Sequence, residues 1–163
     1  MDVDSVLASS PRRLRAGSEQ GAASYQLADD LIAVHGSRTT PRAILTLEGG
    51  DIAVERLDAA SAKGGREAIG PVYRQVPGGT LAVPTGRVFV RFAQGESASR
   101  HEADLAARGY RVEEVLTYAP HAAWLRAASG DVSDALRDLG RVADLPGVER
   151  VEPQLVTEAG QRR

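Results

Sequence analysis

Between Arg87 and Val156 the spacing of apolar residues switches from two to about 3.6 and back, twice, and this constrains the fold more than any other feature. In "RVFVRFA" (87–93), Val88, Val90 and Phe92 face one way and Arg87, Phe89 and Arg91 the other, as in a strand with one buried face. "SASRHEADLAARGY" follows, in which Ser99 and Glu102 have the spacing of a capping box and Gly109 suits the residue after a helix, so a helix is expected at 99–108. "YRVEEVLTYA" (110–119) and "HAAWLRAA" (121–128) read as two strands, with a hairpin-like turn at Pro120. In "GDVSDALRDLGRVADLPG", Asp131 is the expected N-cap, and Val132, Ala135, Leu136, Leu139, Val142 and Ala143 form one continuous helical stripe. Gly140 costs such a helix about 1 kcal/mol, which a close helix contact would explain. Pro146-Gly147 ends the helix, and "VERVEPQLV" (148–156) reads as a fourth strand, with Pro153 marking an edge or the strand's end.

The expected class is α+β: a ferredoxin-like β-α-β-β-α-β antiparallel sheet with two helices on one face and the other face open, preceded by a small β-rich N-terminal subdomain. The expected organisation is a disordered lead (1–23), the β-rich subdomain (24–84), the ferredoxin-like domain (85–157) and a C-terminal tail (158–163). Within the subdomain, "DLIAVHG" (30–36), "AILTLEG" (43–49), "PVYRQV" (71–76) and "TLAVPTG" (80–86) read as short strands. "DIAVERLDAA" (51–60) fits strand or helix, and "SAKGGREAIG" (61–70) reads as a loop.

Composition narrows the function classes. Of 163 residues, 42% are apolar and 26% charged, a globular balance, but only 4% are aromatic, so Val, Leu, Ile and Ala must build the core. A net charge of −2 without a basic domain argues against nucleic acid as partner. No run approaches ~18 consecutive apolar residues, so no membrane partner is expected. Cysteine is absent, which removes disulfides and thiolate chemistry. The N-terminus lacks a secretory signal pattern. The expected location is cytoplasmic if Met1 is the native start, and open if the chain is excised from a secreted precursor.

No catalytic constellation stands out, and the chain is expected not to be an enzyme and to need no cofactor or metal. "HEADL" (101–105) begins like a zinc-protease helix, but Leu105 occupies the second histidine position, so His101 is expected to be a solvated helix residue. His121 is expected at an exposed or turn position. No G-x-S-x-G elbow occurs, and the glycine pairs lack the Lys-Ser/Thr of a phosphate loop. Glu113 and Glu114 are neighbours on a strand and are expected on opposite faces. Trp124 shares a face with Ala122 and Arg126, where core and interface positions both remain open.

"TGRVFVRFAQG", "GYRVEEVLTYAPHAAWLRAASGD" and "ALRDLGRVADLPGVERVEPQLV" together resemble the N-terminal prosegment of subtilisin-like serine proteases, a family that also includes stand-alone protease inhibitors. The resemblance covers residues 85–157 and is most specific at "LPGVERVEPQLV"; "PVYRQVPGGTLAVPTG" is similar to the stretch preceding this domain in longer bacterial precursors. It implies a non-catalytic protein that binds, inhibits and helps to fold a subtilisin-like serine protease. The open sheet face, with Phe89, Trp124 and Arg126, would dock on the protease. Glu152 would meet the N-termini of protease helices, and Gln154 stands where the family often has a second, shorter cap. Thr157, Glu158, Ala159 and Gly160 would lie product-like in the active-site cleft, with Gly160 before the scissile position; an alternative register places Arg163 there. The competing reading is a ferredoxin-like regulatory or homodimerisation module with no protease target, using the same sheet face.

Overall fold

The computed structural model describes residues 3–16, 22–36, 43–47, 51–57 and 68–158. In chain order the elements are α1 (Val3–Ser9), β1 (Arg13–Ala16), β2 (Ala23–Leu27), β3 (Leu31–His35), β4 (Ala43–Leu47), β5 (Ile52–Arg56), β6 (Ala68–Gly70), β7 (Tyr73–Val76) and β8 (Leu81–Phe92). A 3-10 turn (Ala98–His101) then leads into α2 (Glu102–Ala107), followed by β9 (Tyr110–Leu116), β10 (Ala119–Ala127), α3 (Val132–Arg137), α4 (Leu139–Ala143) and β11 (Val148–Thr157).

The expected ferredoxin-like α+β class is overturned. The described residues are 52% strand and 21% helix, with eleven strands and only four short α-helices. The strands form a seven-stranded antiparallel sheet, in the order β1-β2-β7-β8-β10-β9 with β11 also paired to β8, and a four-stranded sheet in the order β4-β5-β3-β6. One physical reason is that Pro84-Thr85-Gly86 does not end a strand. β8 runs through it for twelve residues, pairing with β7 at Leu81 and Ala82 and with β10 from Val88 to Arg91. Between these ladders Gly86 takes a positive φ of 95°, a conformation other residues rarely adopt. The other reason is that the helices are fragments. Asp138 interrupts the stripe expected to be continuous, leaving pieces of six and five residues.

The described chain divides into two compact units, one reaching to Pro84 and including the stretch from Leu155, the other Thr85–Gln154. In the first, the segment expected as a disordered lead carries α1 and β1, whose Val3, Val6 and Leu14 are buried. Val3 and Val6 pack on Ile32, while Leu31, Ala33, Leu47, Ile52, Val54, Val72 and Val83 form a separate cluster. β3 and β5 therefore bury both faces, which is why their sequences are runs of apolar residues rather than alternations. Ile52–Arg56 is accordingly strand, which resolves the ambiguity of this stretch.

In the second unit the expected alternation holds. Val88, Val90 and Phe92 are fully buried with Leu105, Tyr110, Ala123, Leu125, Ala135 and Val142. This cluster joins one sheet face to α2, α3 and α4, and the Tyr110 hydroxyl donates to the Ala135 carbonyl oxygen at 2.5 Å. Several local expectations fail. Neither Ser99 nor Asp131 makes the expected side-chain cap: the 3-10 turn starts after Ser97 without a side-chain bond, and Asp131 at the N-cap of α3 has none. Pro120 lies inside β10, and the turn falls at Thr117-Tyr118. Gly140 is exposed, with nothing within 4 Å of a Cβ placed on it, so no close contact explains it.

Candidate functional site

Strand alternation sends Phe89 and Trp124 to the sheet face opposite the helices of the second unit. They are direct cross-strand partners on β8 and β10, with rings edge to face at 5.5 Å and 69°. Such a pair contributes about 0.5–1.5 kcal/mol beyond its area. Both side chains are half-buried, whereas the next residue on β10, Leu125, is fully buried in the core. The Arg87 guanidinium carbon lies 4.7 Å from the Trp124 ring centroid, a cation–π geometry.

Ion pairs surround these rings. Arg87 pairs with Glu113 at 2.8 Å and reaches Glu114 at 3.4 Å; Arg126 pairs with the same Glu113. Glu113 and Glu114 were expected on opposite faces, and the register explains why both reach Arg87. Trp124 pairs with Glu114 but Leu125 with Val112, so β9 carries an extra residue at Glu113, a β-bulge. The bulge lets Val112 and Val115, three residues apart, both pack on the core while the intervening carboxylates share the outer face. Arg87 thus lies on the Phe89 face as the alternation of β8 implies, while Glu113 and Glu114 both join it although alternation along β9 put them on opposite faces.

The remaining expected site residues are placed as follows. Glu152 lies half-buried on β11 and pairs with Arg150. The Thr85 hydroxyl donates to the Gln154 side-chain oxygen at 2.7 Å. Both groups are therefore engaged within the second unit. Thr157 is the last residue of β11 rather than part of a free tail, and Glu158 follows in a turn. Val156 packs against the larger cluster of the first unit. Ala159 and Gly160 lie outside the described residues.

His101 differs from its expectation as a solvated side chain. It is 18% exposed, stacks on Phe92 at 4.1 Å and 8°, and pairs with Glu96 at 3.1 Å. Among the described residues, no cluster of three or more His, Asp or Glu side chains could hold a metal ion, and no helix is long and apolar enough to cross a membrane. An edge-to-face aromatic pair rimmed by ion pairs has the composition common to protein interfaces, aromatic residues at the centre and polar groups around them. No family model, curated protein or solved structure matches this chain.

Proposed function

We propose that this chain is a non-catalytic protein that binds and inhibits a subtilisin-like serine protease, and assists its folding, by docking through the Phe89–Trp124 sheet face. The observation that carries the reading is that aromatic pair, half-buried on the face that α2, α3 and α4 leave uncovered. The motif resemblance across residues 85–157 supplies the class of partner. The reading does not need the two-helix fold that the resemblance implied; it uses the exposed face and the chain that follows β11. Because Thr157 belongs to β11, any product-like segment in the protease cleft starts no earlier than Glu158.

The test mixes the full chain with a purified subtilisin-family protease and follows hydrolysis of a small peptide substrate. Trp124 is the single tryptophan, so its emission reports independently on this face. The expected result is saturable inhibition together with a change in Trp124 emission, and faster recovery of activity when the denatured protease refolds in the chain's presence. Undiminished hydrolysis at large molar excess, with unchanged emission, overturns the proposal. Self-association seen by sizing in that case favours the homodimerisation reading.

A further inference from the structure

A cavity of 420 Å³ opens at one end of the second unit, between the turn after β8 and the β9–β10 hairpin. Its volume falls in the range of small-molecule sites, roughly 300–1,000 Å³. Gln94, Arg100, Tyr118 and His121 all line it. None of these four side chains makes a hydrogen bond or ion pair with another described residue. The cations of the Phe89–Trp124 face differ: Arg87, Arg91 and Arg126 are all paired. Among the described residues, the one acid lining the cavity, Glu96, is already engaged by His101 at 3.1 Å. The wall therefore presents an uncompensated guanidinium, an imidazole and an amide beside the Tyr118 ring, which is 85% exposed, and Pro120.

We infer that this cavity is a binding site for a carboxylate carried on a small apolar or aromatic body. Arg100 supplies the planar donor pair that matches a carboxylate, with Gln94 and His121 as further donors. The Tyr118 ring and Pro120 offer apolar surface for the body of the ligand. One full cation suits a monoanion better than a phosphate dianion. The carboxylate could belong to a free small acid or to the end of a peptide chain, which share this chemistry. The inference stands apart from the protease reading, because it uses none of the docking-face residues.

The experiment titrates benzoate, its neutral counterpart benzamide, and a tripeptide ending in phenylalanine, as free acid and as amide, into the isotope-labelled full chain. Amide resonances of Gly95 and Ala119 are followed. The expected result is saturable shifts with at least one acid, weaker by about tenfold or more for the matching amide, as loss of a charge-assisted hydrogen bond implies. Arg100→Gln should weaken the acid by a similar factor, while Arg111→Gln, on β9 away from the cavity, should not. Tighter binding of benzoate identifies a free acid as the source, and tighter binding of the peptide acid a chain terminus. Absence of saturable shifts, equal binding of acids and amides, or full affinity in a folded Arg100→Gln variant overturns the inference.

Discussion

Two glycines of the second unit make opposite demands on a side chain. Gly86 sits at φ 95° inside β8, and a Cβ there would lie 3.2 Å from Arg126 Nη1 and 3.3 Å from Val132 Cγ2. Gly86→Ala should therefore lose about 1–3 kcal/mol from backbone strain alone, read as a lower urea midpoint with unchanged slope. It should also shift Trp124 emission, because Arg126 shares the sheet face with that ring. Gly140 is exposed in α4 with open space around it, so Gly140→Ala should stabilise by about 0.5–1 kcal/mol in the same measurement. The helical spacing singles out Gly140 and its cost, but nothing in the sequence singles out Gly86. Spacing alone does not say that a strand continues through Gly86 or that Gly140 faces open space. Tyr73 and Tyr110 are a second pair at this scale. Burial pushes both phenols far above their ordinary value near 10, with the Tyr110 shift also raised by the nearby Asp138 carboxylate. The folded values lie above the unfolded ones, so the stability they contribute is intact below about pH 10 and falls as pH climbs above it, by up to about 1.4 kcal/mol per pH unit for each phenol. A Tyr73→Phe/Tyr110→Phe double variant should be less stable at neutral pH, by about 1 kcal/mol per lost hydroxyl bond, yet show a shallower alkaline decline. Urea titrations at pH 8 and pH 11 separate the two effects.

The elements show where periodicity was a sufficient guide and where it was not. The alternation of β8 placed Val88, Val90 and Phe92 inside and Arg87, Phe89 and Arg91 outside, as the burial pattern has it. It was legible because a strand with one buried face writes its geometry directly into the sequence. β9 was legible only in outline. Its "VEEV" spaces two valines three apart, a break in period two that marks a bulge within an otherwise regular strand. β11 repeats the signal: Val148 and Val151, also three apart, both pack on the core. The helix stripe holds for Val132, Ala135, Leu136 and Val142, which are buried, but not for Ala143, which is exposed, and not in its continuity, because the break at Asp138 has no counterpart in apolar spacing. The first unit was least legible: strands buried on both faces carry no alternation, and an N-terminal helix held by two valines looks like a polar lead. The bulge also makes a prediction. Glu113 holds both Arg87 and Arg126, whereas Glu114 is 62% exposed and touches Arg87 only at 3.4 Å. Glu113→Gln should cost about 1 kcal/mol by chemical denaturation, and Glu114→Gln nothing measurable.

At the scale of the whole molecule, the separation of the core from the Phe89–Trp124 face allows folding and the proposed binding to be tested apart. The second unit is held by the cluster around Val88, Val90, Phe92 and Leu125, on the opposite side of β8 and β10 from Phe89 and Trp124. Leu125→Ala should cost about 2–5 kcal/mol through the cavity it leaves and weaken every property of the chain together. Phe89→Ala/Trp124→Ala removes the aromatic pair from a half-buried face, so the loss should be smaller and the chain should stay folded at room temperature. If the face is the docking surface for a subtilisin-like protease, this double variant should lose inhibition by a hundredfold or more, since paired aromatic anchors each carry about 2 kcal/mol or more in such interfaces. Deleting residues 159–163 leaves β11 intact and asks a different question. Inhibition that survives the deletion but not the aromatic substitutions places the binding energy on the sheet; inhibition lost in both requires the chain beyond Glu158 as well. A folded Phe89→Ala/Trp124→Ala variant that inhibits as well as the parent removes the face from the binding mechanism, whatever the tail does.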